Sequence, residues 1–165
     1  MMILGVRIFG DPVLRTRAEE ISTPTEVHRE LVENMVETMH ENRGVGLAAN
    51  QVGVLERVFV YDCDGISGHI INPVWEALDE ETLYEEEGCL SIPDVKYPVT
   101  RHAKVRVTGV DVDNNPIDFV AEGLLARCVQ HETDHLDGVL FLKRLTPELR
   151  KEAMGTIRNS EWFNQ

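Results

Sequence analysis

The run His131-Glu132-Thr133-Asp134-His135 constrains this chain more than any other feature of its sequence. Histidines four residues apart lie on one face of a helix, so both imidazoles can bind one metal ion. Glu132 is displaced around the helix, where it can contact a water molecule and move its proton. Leu124 and Cys128 continue the histidine stripe, so it faces the core and not solvent, where two unliganded histidines would be hard to satisfy. The pattern predicts a buried helix over about Leu124–Leu136 that carries a catalytic metal site.

A catalytic site of this kind needs a third protein ligand. No histidine follows His135, so the third ligand is expected upstream. Cys128 lies on the same helix as both histidines, where three ligands would spread along the axis, and it is predicted to be a small core or pocket residue. Cys89 lies in the glycine-containing segment Glu87–Ser91 and can approach the helix from outside. The other candidates are Cys63, His28, His40, His69 and His102.

Composition limits the class of protein. The 165 residues fit one compact domain, expected over 1–165, with 42% hydrophobic residues to form its core. No stretch is long and apolar enough for a transmembrane helix or a signal peptide, so we expect a cytoplasmic protein with no membrane partner. A net charge of −13 argues against a protein that coats DNA or RNA. Three cysteines without framework spacing indicate free or metal-bound thiols.

The order of elements predicts an α+β fold. A first helix is expected after Thr23-Pro24-Thr25-Glu26, with Thr23 as N-cap, and is expected to end near Gly44. Strands follow, and a last helix is expected to begin at Thr146. We therefore expect antiparallel sheets packed around the central motif-bearing helix, with an N-terminal and a C-terminal helix. The acidic run from Asp79 to Glu87 is interpreted mainly as solvated surface. The expected strands are Arg57–Tyr61, Gly68–Trp75, Lys104–Asp111 and Ile117–Val120.

Three segments together resemble one known family. They are Gly44–Gln51 (GVGLAANQ), Glu87–Ser91 (EGCLS) and Gln130–Gly138 (QHETDHLDG), and the opening Gly10–Arg15 (GDPVLR) agrees with them. In this order and spacing they are similar to the conserved motifs of the peptide deformylases. The resemblance covers nearly the whole chain, and the three motifs together are far more specific than the His131–His135 pattern alone.

The resemblance implies the site and its chemistry. Cys89, His131 and His135 would bind one divalent ion, Fe²⁺ in this family, with Zn²⁺, Ni²⁺ or Co²⁺ able to replace it. Glu132 would act as general base and acid, and the Gln51 amide and Leu90 N–H would stabilise the oxyanion. The expected substrate-binding residues are Gly44, Val45, Gly46, Leu124, Cys128 and Arg101. Arg127 occupies a position that is apolar in some members, which would make the rim of the pocket more polar.

The partner implied is an N-formylmethionyl peptide, from which water would release formate. Because nascent peptides leave the ribosome, the basic segment Lys143–Arg158 is a candidate ribosome contact, although an ordinary amphipathic helix explains it equally well. Three rival functions stay open at this point: a metalloprotease with the same helix, a non-catalytic metal-binding relative, and a hydrolase with Cys89 as nucleophile. The last predicts activity that survives chelation and is abolished by a thiol reagent.

Overall fold

The computed structural model describes residues 2–164 as three α-helices, seven β-strands and short 3₁₀ segments. The helices are α1 (Glu26–Glu41), α2 (Gly123–Leu136) and α3 (Pro147–Arg158). The strands are β1 (Gly46–Ala48), β2 (Val58–Cys63), β3 (Ile66–Ala77), β4 (Thr82–Cys89), β5 (Ile92–His102), β6 (Lys104–Val110) and β7 (Pro116–Glu122). This is the expected α+β class, with helices near both ends and the motif-bearing helix between them.

Two antiparallel sheets frame the molecule. The larger has five strands in the order β1-β2-β3-β6-β7, and the smaller is the β4–β5 hairpin. In the ladder of β2, Val58 and Val60 pack in the cluster beneath α1, while Phe59 and Tyr61 pack in the cluster beneath α2. Alternate residues of a strand face opposite sides of a sheet, so the two helices lie on opposite faces of the five-stranded sheet.

Helix α2 is buried on all sides. Every residue from Leu125 to Leu136 is buried, although only part of the helix is apolar. It lies between the large sheet and the hairpin, so its polar side chains need partners inside the protein. Gln130 satisfies this need by accepting from the N–H of His102 and donating to its carbonyl, both at 2.9 Å. The expectation of a single buried stripe therefore understated how deeply the motif-bearing helix lies.

Helix α3 closes the far side of the hairpin. Thr146 caps it by accepting from the Leu149 N–H at 3.3 Å, and Pro147 occupies the first turn. Ala153 and Ile157 are fully buried in the same cluster as residues of β5, including Val99. The start expected from the sequence, at Thr146, agrees with the structure. Among residues 2–164 no helix combines the length and the apolar character needed to cross a bilayer.

One expectation about local structure was wrong: the N-cap of α1 is Thr25 and not Thr23. The N–H of Thr25 donates to Nδ1 of His28 at 2.9 Å. The acidic run from Asp79 to Glu87 is mostly exposed, as expected, and its second half lies on strand β4. Its glutamates have poor strand propensity, but pairing with β5 decides the conformation of this segment.

Gly138 ends α2 where only glycine fits without strain. Its φ is +76°, and an added Cβ would lie 2.7 Å from the carbonyl oxygen of Arg15. We expect Gly138→Ala to lower the free energy of unfolding by about 2–4 kcal/mol, the left-handed strain and the overpacking adding together. Gly65→Ala is the matched control, because Gly65 has φ +84° but nothing within 4 Å of the new Cβ. Urea unfolding measures the free energy of unfolding of both variants. Equal losses of stability would contradict a clash between the new Cβ and Arg15.

Candidate metal centre and active site

Three potential metal ligands converge at the start of the hairpin turn. Sγ of Cys89 lies 3.3 Å from Nε2 of His135, which lies 3.2 Å from Nε2 of His131. All three ligand atoms are within 4.8 Å of one another. The two histidines come from successive turns of α2, and Cys89 comes from the end of β4. The helix thus contributes two of the candidate ligands, and the hairpin contributes the third.

Glu87 fixes the orientation of His131. The Nδ1–H of His131 donates to Oε1 of Glu87 at 2.7 Å, because an ionised carboxylate can only accept. This leaves the lone pair of Nε2 directed toward Cys89 and His135. Burial alone would raise the pKa of Glu87, but hydrogen bonds from Arg101 and His131 outweigh it and hold that pKa well below its usual range. Glu87 therefore stays ionised and keeps His131 in the tautomer that a metal requires.

The Glu132 carboxyl is buried in the wall of the same cleft. Its side chain lines the cleft, is 4% exposed, and has one oxygen, Oε1, without a hydrogen-bond partner among the described residues. Burial raises the pKa of this carboxyl to about 7. A group with a pKa near the working pH can both accept and release a proton. Gly46 makes room for it, since a Cβ there would lie 2.5 Å from Oε2 of Glu132.

Gln51 presents an amide N–H₂ to the same centre. Its Oε1 accepts from the N–H of Ala48 at 3.0 Å, which fixes the orientation of the amide. Its Nε2 donates to Oγ of Ser91 at 3.0 Å and lies 3.6 Å from Sγ of Cys89. Gln51 is 2% exposed, so its geometry is set by these contacts. A donor held in this way is available to an oxygen atom bound beside Cys89.

These residues line one cleft of about 520 Å³. Of the residues predicted from the sequence, the cleft brings together Cys89, His131, Glu132, Gln51, Leu90, Gly44, Val45, Gly46, Leu124 and Cys128. His135 lies at the base of this set, 1% exposed. Val45 is 45% exposed and leaves an apolar surface open at the mouth of the cleft. The lining is mixed, with apolar walls around a few polar groups, which is typical of a small-ligand site.

Arg101, expected among the substrate-binding residues, does not line this cleft. It lies behind His131, where Nε and Nη2 donate to Glu87 at 3.0 and 2.8 Å and Nη1 donates to Asp134 at 2.7 Å. Its side chain is 5% exposed, and its guanidinium is committed to these two carboxylates. Its contacts therefore hold Arg101 away from the residues that line the cleft.

Cys128 is not a ligand of the metal centre. Its thiol and that of Cys63 lie 3.6 and 3.5 Å from the carbonyl oxygen of Val45. The contact with Cys63, together with burial, raises the pKa of Cys128 well above its usual value, so it remains a thiol. This agrees with the prediction that Cys128 is a pocket residue.

The side chains that converge here fit a divalent metal ion. One thiolate and two imidazoles suit several borderline metals. The imidazole of His131 is already in the metal-binding tautomer, and the unpartnered oxygen of Glu132 is buried beside it. A set of three protein ligands leaves a further position for water or substrate, as catalytic sites require.

Sequence analysis missed two residues of the site. Glu87 was grouped with the acidic surface run, although its place two residues before Cys89 on a strand was a signal that both face one side. Asn50 was not considered, yet it is fully buried and donates to the backbone carbonyl of His135. Nothing in the local sequence distinguishes Asn50 from a residue that caps a loop.

Comparison with known proteins supports the assignment of this chain to the family that its motifs resemble. The family profile described as polypeptide deformylase matches residues 3–151. Peptide deformylase 1 of Corynebacterium glutamicum is 60% identical over 169 residues, and that of Corynebacterium efficiens is 59% identical, each covering 100% of both chains.

Solved structures agree with this assignment. The peptide deformylase of Ehrlichia chaffeensis in complex with actinonin has a TM-score of 0.90 at 37% identity, covering 98% of this chain and 99% of that one. The enzyme of Thermotoga maritima has a TM-score of 0.86 at 40% identity, covering 89% of this chain and 100% of that one. With the three motifs gathered at one centre, the conclusion is that this chain belongs to the polypeptide deformylase family.

Proposed function

We propose that Cys89, His131 and His135 bind one divalent ion, and that this centre carries out the reaction of the family. That reaction is hydrolysis of the N-formyl group from the N-terminal formylmethionine of nascent polypeptides, with release of formate. The whole chain, 1–165, would form one catalytic domain. The observation that carries the proposal is the convergence of the three ligand atoms within 4.8 Å, with Glu132 in the same cleft.

Glu132 is the proton carrier of this mechanism. An ion held by Cys89, His131 and His135 would supply Lewis acidity to a water molecule and to the formyl carbonyl. Glu132 accepts the proton of the attacking water and then delivers a proton to the amine that leaves as the C–N bond breaks. Its pKa of about 7 allows both steps near neutral pH.

Gln51 and the backbone N–H of Leu90 are the proposed donors to the oxyanion. The Gln51 amide is held by Ala48 and Ser91, so it needs no reorganisation as negative charge develops on the formyl oxygen. Leu90 follows the ligand Cys89 directly and lines the same cleft. The methionine side chain of the substrate would occupy the apolar part of the cleft beside Val45, Leu124 and Cys128.

The reaction is tested by formate release from an N-formyl-Met tripeptide. Protein loaded anaerobically with Fe²⁺ or with Ni²⁺ is expected to release formate, and a chelator is expected to stop it. The matching N-acetyl-Met tripeptide, which lacks the formyl group but keeps the same internal peptide bonds, is the control for general peptide hydrolysis. Cleavage of an internal peptide bond would favour a metalloprotease, and activity that survives chelation but not a thiol reagent would favour a Cys89 nucleophile.

We propose Fe²⁺ as the native ion. One thiolate and two imidazoles can bind Fe²⁺, Co²⁺, Ni²⁺ and Zn²⁺. The ion found in the native protein therefore depends on which metal is available and on how reactive the site is with it. Metal analysis of protein purified without oxygen, followed by comparison of the four reconstituted forms, tests this. A purified protein that holds Zn²⁺ and matches the Fe²⁺ form in activity would contradict it.

Contact with the ribosome through α3, in the cytoplasm, is the remaining part of the proposal. Lys143, Lys151 and Arg158 are exposed and make no ion pair among the described residues, whereas Arg150 donates to the backbone carbonyls of Leu142 and Lys143. Removing α3 is a poor test, because Ala153 and Ile157 belong to the core.

Charge reversal gives a cleaner test of the ribosome contact. The double variant Lys151→Glu, Arg158→Glu is expected to reduce co-sedimentation with ribosomes at low salt, while tripeptide deformylation stays unchanged. Unchanged co-sedimentation would contradict the contact.

A further inference from the structure

Arg127 and the candidate ligand His131 both line the cleft. It is one helical turn before His131 on α2, so the two side chains project from the same face. Both reach the same carboxylate: Nη1 of Arg127 donates to Oε2 of Glu87 at 2.6 Å, and His131 donates to Oε1 at 2.7 Å. Glu87 is thus held between two residues of one helix face, which fixes the plane of its carboxylate.

Arg127 also joins α2 to the hairpin. Its Nη1 donates to the carbonyl of Val99 at 3.0 Å, and its Nη2 donates to the carbonyl of Leu83 at 3.2 Å. These carbonyls belong to β5 and β4, the two strands of the hairpin that supplies Cys89. One buried side chain therefore contacts both strands of the hairpin and the carboxylate that orients His131.

Arg101 cannot replace this contact. Its guanidinium is divided between Glu87 and Asp134, so without Arg127 the Glu87 carboxylate would keep Arg101 as its one arginine partner among the described residues. With Arg127 present, Glu87 accepts four hydrogen bonds: two from Arg101, one from Arg127 and one from His131. A carboxylate whose acceptor positions are all filled has no freedom to rotate away from the imidazole.

We propose that Arg127 is a positioning residue of the metal centre: through Glu87 and the hairpin carbonyls it holds His131 and Cys89 in register for one ion. This inference rests on the metal site proposed above. It assigns to Arg127 a role in metal retention, although the residue contacts no ligand atom itself. Partners of this kind typically change metal affinity by about 10- to 100-fold.

The test compares metal transfer from the loaded protein to a coloured chelator. Arg127→Met keeps the length of the side chain and removes its donors, and we expect Ni²⁺ transfer about ten times faster than from the parent. Arg127→Lys restores a donor to Glu87 but cannot also reach both carbonyls, so its rate is expected between the two. Arg106→Met is the matched control, since Arg106 is half-exposed on β6 and, within residues 2–164, its guanidinium pairs with Asp118 alone.

A second measurement separates positioning from a purely structural role. The visible spectrum of the Co²⁺ form reports ligand geometry, and we expect it to change in Arg127→Met and to recover in part in Arg127→Lys. If both variants transfer metal at the parent's rate with the parent's spectrum, and only the thermal midpoint falls, the inference is wrong. A parent that binds no metal would instead overturn the proposed function, so the two failures are distinguishable.

Discussion

Glu132→Gln is expected to reduce kcat for formate release by about a thousandfold, because the amide cannot carry the proton between water and leaving amine. Glutamine has nearly the same volume, so the loss measures the missing proton transfer. The carboxyl is buried with an unpartnered oxygen, and its removal takes an ionisable group out of an environment that raises its pKa. Thermal stability should therefore hold or rise.

Steady-state kinetics with equal metal content in parent and variant measures this effect. Glu148→Gln, an exposed position on α3, controls for the substitution itself. A variant that keeps its ion and retains a tenth or more of the parent's kcat would show that another group carries the proton.

Glu87→Leu is expected to lower the free energy of unfolding by about 3–5 kcal/mol, since it leaves buried guanidiniums without their carboxylate. Arg101 and Arg127 are each about 5% exposed, and each donates to Glu87. For a domain of this length such a loss corresponds to a fall of roughly 10 °C in Tm. The same change frees His131 Nδ1, so the variant should also lose its ion more readily than the parent.

Glu85→Leu is the matched control, because Glu85 lies on the same strand two residues earlier and is exposed. Urea unfolding of the metal-free proteins isolates the ion-pair effect from any effect of metal. Equal stability of the two leucine variants would show that Arg101 and Arg127 find other partners.

The candidate ligands could be predicted from the sequence because the spacing of residues along one helix decides which side chains share a face. His131 and His135 are four residues apart on one helix, so their convergence needs only helix geometry. Cys89 was favoured over Cys128 by a similar argument about how three ligands can reach one point, and the geometry agrees. The class of fold followed from the order of helices and strands in the same way.

Contacts between residues far apart in the sequence could not be predicted from local spacing. Arg101 was expected at the substrate, but its partners come from β4 and α2, 14 and 33 residues away in sequence. Glu87 looks like its exposed neighbours until tertiary structure brings the donors of Arg101, Arg127 and His131 to its carboxylate. Burial of one glutamate among several is decided by tertiary structure, which local propensity does not encode.

The β4–β5 hairpin is not hydrogen-bonded into the five-stranded sheet, and this separation bears on how a metal ion would bind and dissociate. An isolated two-stranded hairpin is at best marginally stable in water, so its docking against α2 is maintained largely by side-chain contacts. An ion bound by Cys89 and both histidines would join the hairpin to α2, so it would be held only while the two elements are docked. Coordination and docking are therefore one linked equilibrium. The rate at which the ion is released would therefore report the rate of local opening of the hairpin. A ligand that covers the cleft would slow both processes.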